Sequence, residues 1–202
     1  MDFLFDIGNV ILEVDFHSAL RRILPPDADS TAIMELLLAR KDELEAGRID
    51  SEDFLAWAAT TVATGLSRAE FVAAWLDVFR PIEPMWHTID ALAEAGHRLI
   101  LFSTTNDLHA ANAFARFPVF RRFHGAVYSH LVGAMKPEDT IYQHAISRFG
   151  LTPAATFYID DLAENIATGR RLGFRCWQYD AKHHPPFAAW LARELAATPP
   201  PP

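Results

Sequence analysis

A chain of 202 residues is long enough for one sizeable core with an insertion, or for two small domains. It is 50% hydrophobic and 22% charged, an ordinary balance for a globular protein that folds in water. A net charge of -8 with no Lys/Arg stripe argues against a nucleic-acid partner, and an anionic substrate would need a metal or local cation to offset the repulsion.

The first predicted element is a short apolar strand, Phe3-Leu4-Phe5, which ends abruptly at Asp6 and runs on into Ile7-Gly8-Asn9-Val10. In open α/β sheets ligands bind at such strand tips. A carboxylate there can be a metal ligand, a base or a nucleophile, or simply a turn or helix cap. From Phe16 the spacing turns helical, with apolar residues three to four apart over 16–24, 31–46, 51–64 and 67–79. Ser30, Ser51 and Ser67 stand where N-caps belong, and Ser67 with Glu70 reads as a capping box. Gly47 and Gly65 suit helix ends, and Pro81 and Pro84 mark a junction.

Strands and helices then alternate. Helices are expected over 85–95, 108–117, 138–149 and 163–172, and strands over 98–102, 126–128, 156–159 and 174–178. This alternation predicts an α/β fold, a Rossmann-like parallel sheet with helices on both faces. The first strand belongs to that sheet but is separated from the rest by helices alone. The expected layout is a core of residues 1–15 and 82–202 with an all-helical cap, 16–81, inserted; the rival is helices packed as further layers on one core. Pro199 to Pro202 read as a disordered tail.

Three more strand ends carry chemistry. Ser103-Thr104-Thr105-Asn106 offers hydroxyls and backbone N–H groups that could cradle phosphate oxygens, or could merely cap a helix. Lys136, before Pro137, stands at a helix entrance, where a cation opposes the macrodipole and asks for an anionic partner. Asp160 and Asp161 are adjacent carboxylates at one strand tip and repel each other unless a cation sits between them and Asp6. Hard oxygen ligands, few in number, suit Mg²⁺ better than Ca²⁺. His109 is a minor candidate for substrate contact, Asp15 is expected to cap a helix, and His183-His184 to lie on the surface. Arg48, Trp57 and Trp75 could each be pocket or packing residues.

Asp6 with Gly8-Asn9, Ser103, Lys136 and Asp160-Asp161 resemble, in order, the four motifs of the haloacid dehalogenase (HAD) superfamily, and the resemblance spans essentially the whole chain. The helical insert resembles the type-1 cap of its subfamily I. Phe5-Asp6-Ile7-Gly8-Asn9-Val10, Ser103-Thr104-Thr105-Asn106, Lys136-Pro137-Glu138 and the segment Glu45-Ala46-Gly47-Arg48 look closest to the superfamily's bacterial glucose-1-phosphate phosphatases. The resemblance implies that Asp6 attacks phosphorus to give an aspartyl-phosphate, which water hydrolyses. It implies Mg²⁺ held by Asp6, the Gly8 carbonyl and Asp161, with Asp160 in support. Ser103 and Thr104 would bind phosphate, and Lys136 would balance charge.

One residue departs from the common pattern. Gly8 stands where most HAD phosphatases carry a second Asp that protonates the leaving oxygen, although the glucose-1-phosphate phosphatases also have Gly there. An anomeric hydroxyl is an acidic leaving group and needs less protonation. The expectation is therefore a Mg²⁺-dependent phosphomonoesterase acting on a small phosphorylated metabolite such as glucose 1-phosphate. Alternatives are a 2-haloacid dehalogenase using Asp6 as nucleophile, and a catalytically weak domain that binds phosphometabolites. No stretch is apolar and long enough to span a bilayer. No basic region precedes the first apolar run, and Cys176 is a single cysteine. These features point to the cytoplasm and leave monomer and homodimer open.

Overall fold

A computed structural model describes residues 1–22, 24, 29–62 and 67–197. Its elements in chain order begin with strands β1 (Asp2–Phe5) and β2 (Leu12–Val14) and helices α1 (Phe16–Arg21), α2 (Ser30–Glu45), α3 (Ser51–Val62) and α4 (Arg68–Leu76). There follow β3 (Phe79–Pro81), α5 (Glu83–Glu94), β4 (Arg98–Ser103), α6 (Asp107–Arg116), β5 (Gly125–Tyr128), α7 (Ser129–Val132) and α8 (Asp139–Phe149). The chain closes with β6 (Thr156–Asp160), α9 (Ala163–Arg171), β7 (Arg175–Gln178) and α10 (His184–Ala197). Gly65 and Pro199 to Pro202 lie outside the described residues.

The main sheet is parallel throughout, in the order β5-β4-β1-β6-β7. Because side chains alternate along a strand, its register sorts the apolar residues onto two faces. Phe3, Phe5, Leu99, Leu101, Phe157 and Ile159 share one core with Met85, Ile89, Ala113, Phe187 and Leu191, so α5, α6 and α10 cover that face. Leu4, Ile100, Phe102, Val127 and Tyr158 form the other core with Ile141, Tyr142, Ala145 and Ile166 of α8 and α9. The expected α/β fold is present, with β1 central between β4 and β6.

Helices α1 to α4 have an apolar cluster of their own, built on Met34, Leu37, Leu44, Phe54, Leu55, Phe71 and Trp75. Chain enters and leaves this insert side by side, because β2 and β3 pair antiparallel with Val14 opposite Phe79. That ladder is too short to announce itself by alternation. Local signals account for most helix starts, with changes of residue. Ser67 caps α4 with its capping box intact, but α2 is capped by Asp29, whose carboxylate accepts from the N–H groups of Thr31 and Ala32. Asp50, not Ser51, accepts from the Asp53 N–H at the start of α3. Asp15 accepts from Ser18 N–H and opens α1. Helix α10 has no counterpart among the expected elements, and Pro185 and Pro186 sit in its first turn, where a missing N–H costs nothing.

Helix α9 lies tight on β6 and β7 at Gly169. A Cβ there would fall 2.6 Å from Tyr158 Cδ1 and 2.8 Å from Cys176 Sγ. Overpacking costs ~1–3 kcal/mol, against a helix-propensity gain of ~1 kcal/mol for replacing glycine. Gly169→Ala is expected to lower the Tm, by up to ~8 °C in calorimetry, whereas a raised Tm would contradict this packing.

Candidate active site

The four strand-end motifs meet at one edge of the sheet. Asp6 follows β1, and its N–H donates to the Ile159 carbonyl of β6 at 3.0 Å. Register carries Ser103, the last residue of β4, to the same edge. The next residue, Thr104, accepts from Lys136 N–H at 3.3 Å and lines a cavity of about 420 Å³ with Asp6, Gly8, Asn9, Lys136 and Asp161. Ser103 itself is buried beside that wall.

Lys136 reaches this edge for a reason other than the one the helix macrodipole suggested. Helix α8 starts at Asp139, so Lys136 and Pro137 precede it in a turn closed by Glu138 N–H on the Met135 carbonyl. The side chain of Lys136 is 1% exposed and points inward. Its ammonium has three N–H donors and finds three acceptors: Asp6 Oδ1 at 3.0 Å, Asp160 Oδ2 at 2.6 Å and the Phe102 carbonyl at 3.0 Å. Burial alone would depress its pKa, but Asp6 and Asp160 more than reverse this, so it stays protonated.

Asp160 and Asp161 have different surroundings. Asp160 is fully buried and accepts from Lys136 and the Tyr158 hydroxyl on Oδ2, and from Leu162 N–H and Asn165 Nδ2 on Oδ1. Its lone pairs are spent within the protein. Asp161 accepts from Asn9 Nδ2 at 3.1 Å and otherwise faces the cavity. Asn9 holds a left-handed backbone, φ 52°, and its Oδ1 accepts from Val14 N–H, which fixes the loop after β1. Asn9 and Asn165 accompany the motifs in sequence but had no role assigned, and Tyr158 was missed, since only packing brings its hydroxyl to Asp160.

Carboxylate oxygens of Asp6, Asp160 and Asp161 lie within 4.8 Å of one another. Three carboxylates against one ammonium leave an excess negative charge in a buried place. The Asp6 carboxyl shows it: burial, and then Asp160 and Asp161, push its pKa up to about 7 despite the adjacent Lys136. Asn165 Oδ1 is buried with no hydrogen-bond partner among the described residues. Excess negative charge and an orphaned acceptor are what a hydrated divalent cation would satisfy.

His109 is not at this site. Its Nε2 donates to the Trp75 carbonyl at 3.1 Å, and its Nδ1 accepts from Asn106 Nδ2 at 3.1 Å. Burial drives its pKa down to about 4, so it is neutral and serves to pin α4 against α6. Nor do Arg48, Trp57 and Trp75 line the cavity. Arg48 is exposed, Trp57 stacks under Arg40, and Trp75 lies in the insert's own core. Lys41, Asp42 and Glu45 of α2 line it instead. His183 is exposed and pairs with Asp180.

Residues 3–173 match the haloacid dehalogenase-like hydrolase family, and the chain belongs to it. It is similar to the D-ribitol-5-phosphate phosphatase of Bacteroides thetaiotaomicron, 25% identical over 185 residues that cover 86% of this chain and 89% of the relative. Among solved structures it is similar to a HAD family enzyme of Bacteroides thetaiotaomicron in complex with magnesium and inorganic phosphate. The TM-score is 0.76 at 22% identity, covering 90% of this chain and 95% of that one. A HAD-like family hydrolase of Porphyromonas gingivalis gives a TM-score of 0.73 at 26% identity, covering 95% and 97%. These likenesses support the superfamily rather than the glucose-1-phosphate phosphatases in particular.

The raised pKa of Asp6 has a consequence for stability. A carboxyl whose folded pKa exceeds its unfolded value loses stabilisation as pH rises from the unfolded pKa through the folded one. Metal-free protein should therefore weaken between about pH 4 and the folded Asp6 pKa of about 7. Asp6→Asn removes this loss, so at pH 8 without metal it is expected to raise the Tm by at least ~3 °C. The gain should shrink towards pH 4, and a gain independent of pH would contradict the assignment.

Proposed function

We propose that this protein is a Mg²⁺-dependent phosphomonoesterase of small sugar or polyol phosphates, with Asp6 as its nucleophile. The observation that carries the reading is the Asp6 carboxylate, held by Lys136 at 3.0 Å on the floor of the cavity and grouped with Asp160 and Asp161. A cavity of about 420 Å³ suits one sugar phosphate and is at the small end of ligand sites. The relative's name and the magnesium and phosphate bound by the structural neighbour support the same chemistry.

Asp6 attacks phosphorus in line with the leaving oxygen and forms an aspartyl-phosphate, which water hydrolyses. Lys136 fixes the attacking carboxylate and offsets the charge gathering on the phosphoryl oxygens, while Ser103 and Thr104 hold those oxygens by hydroxyl and backbone donors. Asp6, the Gly8 carbonyl and Asp161 would hold Mg²⁺, with Asp160 behind them, and the bound ion would neutralise phosphoryl charge. Asp160 orients Lys136. The insert, residues 16–81, acts as a cap over the core formed by 1–15 and 82–202, excluding water while the phosphoryl group transfers.

Screening phosphorylated metabolites with Mg²⁺ and with EDTA tests the reading. Turnover should require Mg²⁺, and Asp6→Asn should lower kcat by at least about a thousandfold. Metal-independent turnover, or wild-type rates in Asp6→Asn, would sink it. Binding of phosphate esters without turnover would favour a binding domain instead.

Gly8 sets a second test. With no acid at that position, esters of acidic hydroxyls should react faster, so kcat/KM for glucose 1-phosphate should exceed that for glucose 6-phosphate. D-ribitol 5-phosphate, an ester of a primary alcohol, is the competing substrate that the relative suggests. A Cβ on Gly8 would meet Val14 Cγ2 at 3.4 Å, an ordinary contact. Gly8→Asp is therefore expected to fold and to help the alcohol esters more than glucose 1-phosphate. Equal wild-type rates on all three esters would refute the leaving-group argument.

A further inference from the structure

The cavity above Asp6 has charged walls that holding a phosphate does not use. With Asp6, Lys136 and Asp161 assigned to the phosphoryl end, the charged lining left is Lys41, Asp42, Glu45 and Glu164. That is one ammonium against three carboxylates.

Glu45 is the unusual member. It is 6% exposed, and its Oε2 accepts from Lys41 Nζ at 2.5 Å. Burial raises its carboxyl above the usual range even with Lys41 beside it. Lys41 also lies 3.7 Å from Asp42 Oδ1, so its charge is shared between two carboxylates. An i,i+4 Glu–Lys pair normally lies on a solvated helix face and contributes little, whereas this one is turned into the cavity.

Its place relative to the phosphate loop is also fixed. The Ser129 hydroxyl donates to the Glu45 carbonyl at 2.5 Å and accepts from Thr105 N–H at 2.9 Å. Thr105 directly follows the proposed phosphate-holding residues Ser103 and Thr104. Two residues past Glu45, Gly47 has φ +68° and lies so close to the His130 carbonyl that any Cβ would collide with it. The end of α2 is thus seated on α7, and Glu45 is indexed to the loop that ends β4.

From this arrangement we propose that Lys41 and Glu45 form a leaving-group subsite that accepts an uncharged, hydroxyl-bearing group and rejects one with a second anion. Hydroxyl protons donate to Glu45 and hydroxyl oxygens accept from Lys41. Among the described residues, a carboxylate or second phosphate instead meets Asp42, Glu45 and Glu164 with no unshared cation to receive it. The inference rests on the phosphatase reading and narrows its substrates to neutral sugar and polyol monophosphates. It also disfavours a 2-haloacid, whose carboxylate would have to sit against the same wall.

The test is a wild-type kcat/KM panel with Mg²⁺. It holds D-ribitol 5-phosphate, glucose 1-phosphate, phosphoglycolate, fructose 1,6-bisphosphate and p-nitrophenyl phosphate, which has no aliphatic hydroxyl. The better neutral substrate should exceed phosphoglycolate and the bisphosphate by at least about tenfold. In Glu45→Gln, kcat/KM for that neutral substrate should fall, mainly through KM, at least about fivefold more than for p-nitrophenyl phosphate. Equal wild-type values for neutral and doubly anionic esters, or a uniform loss across the panel in Glu45→Gln, would overturn the subsite. If Glu45→Gln fails to fold, the wild-type panel decides alone. Turnover of none of the esters, p-nitrophenyl phosphate included, would overturn the phosphatase reading itself.

Discussion

The buried ammonium of Lys136 is the contact on which the site depends. Its three bonds reach Asp6 after β1, Asp160 at the end of β6 and the Phe102 carbonyl in β4, so one cation ties three adjacent strands at their C-terminal edge. Phe102 lies beneath it at 5.4 Å, closing that side to water. Taking such charges out of water is costly, and removing Asp160, the fully buried partner of Lys136, would cost ~3–5 kcal/mol. The arrangement is tolerable because every donor on Lys136 is used and Asp160 is satisfied by four partners. Asp6 is left with the unbalanced share of the charge, and that imbalance is what chemistry can use.

A second layer of contacts sets the insert over that edge. His109 and Asn112 of α6 bond the Trp75 and Leu76 carbonyls at the end of α4. Asp77, just beyond, gathers Arg22 from the insert, Arg80 from β3 and Arg116 from α6. Ser51 bonds Asp107, and Ser129 bonds the Glu45 carbonyl. Three of these contacts are backbone carbonyls held by core side chains, and the other four are side-chain pairs.

What could be read from sequence follows from how local each signal is. Apolar runs that stop at Asp6, Ser103 and Asp160 betray buried strands with polar tips, and the alternation with helices makes the sheet parallel. The two helix-covered faces and the placing of the four motifs at strand ends are of that kind, whereas the strand order β5-β4-β1-β6-β7 depends on long-range pairing and was not read. Lys136 was legible as an oddity, although the macrodipole argument for it was mistaken because α8 begins after Pro137. Lys41 and Glu45 were not legible. On a helix wheel they look like a solvated pair, and only the long-range seating of α2 on α7 turns them inward. Tyr158 was hidden likewise, because in sequence it is one more apolar residue of a buried strand and only the structure turns its hydroxyl onto Asp160. The β2–β3 ladder is three residues long on each side, too short for a periodicity.

The central claim is that excess negative charge around Asp6 is held for a divalent cation. The direct measurement is calorimetric titration of metal-free protein with Mg²⁺ at pH 7, in buffers of different ionisation enthalpy. With the Asp6 carboxyl near pH 7 in the metal-free state, binding should release on the order of half a proton. The observed heat should then change with the buffer, and in Asp6→Asn this dependence should largely vanish. No Mg²⁺ binding, or a heat that is the same in every buffer, would contradict the account.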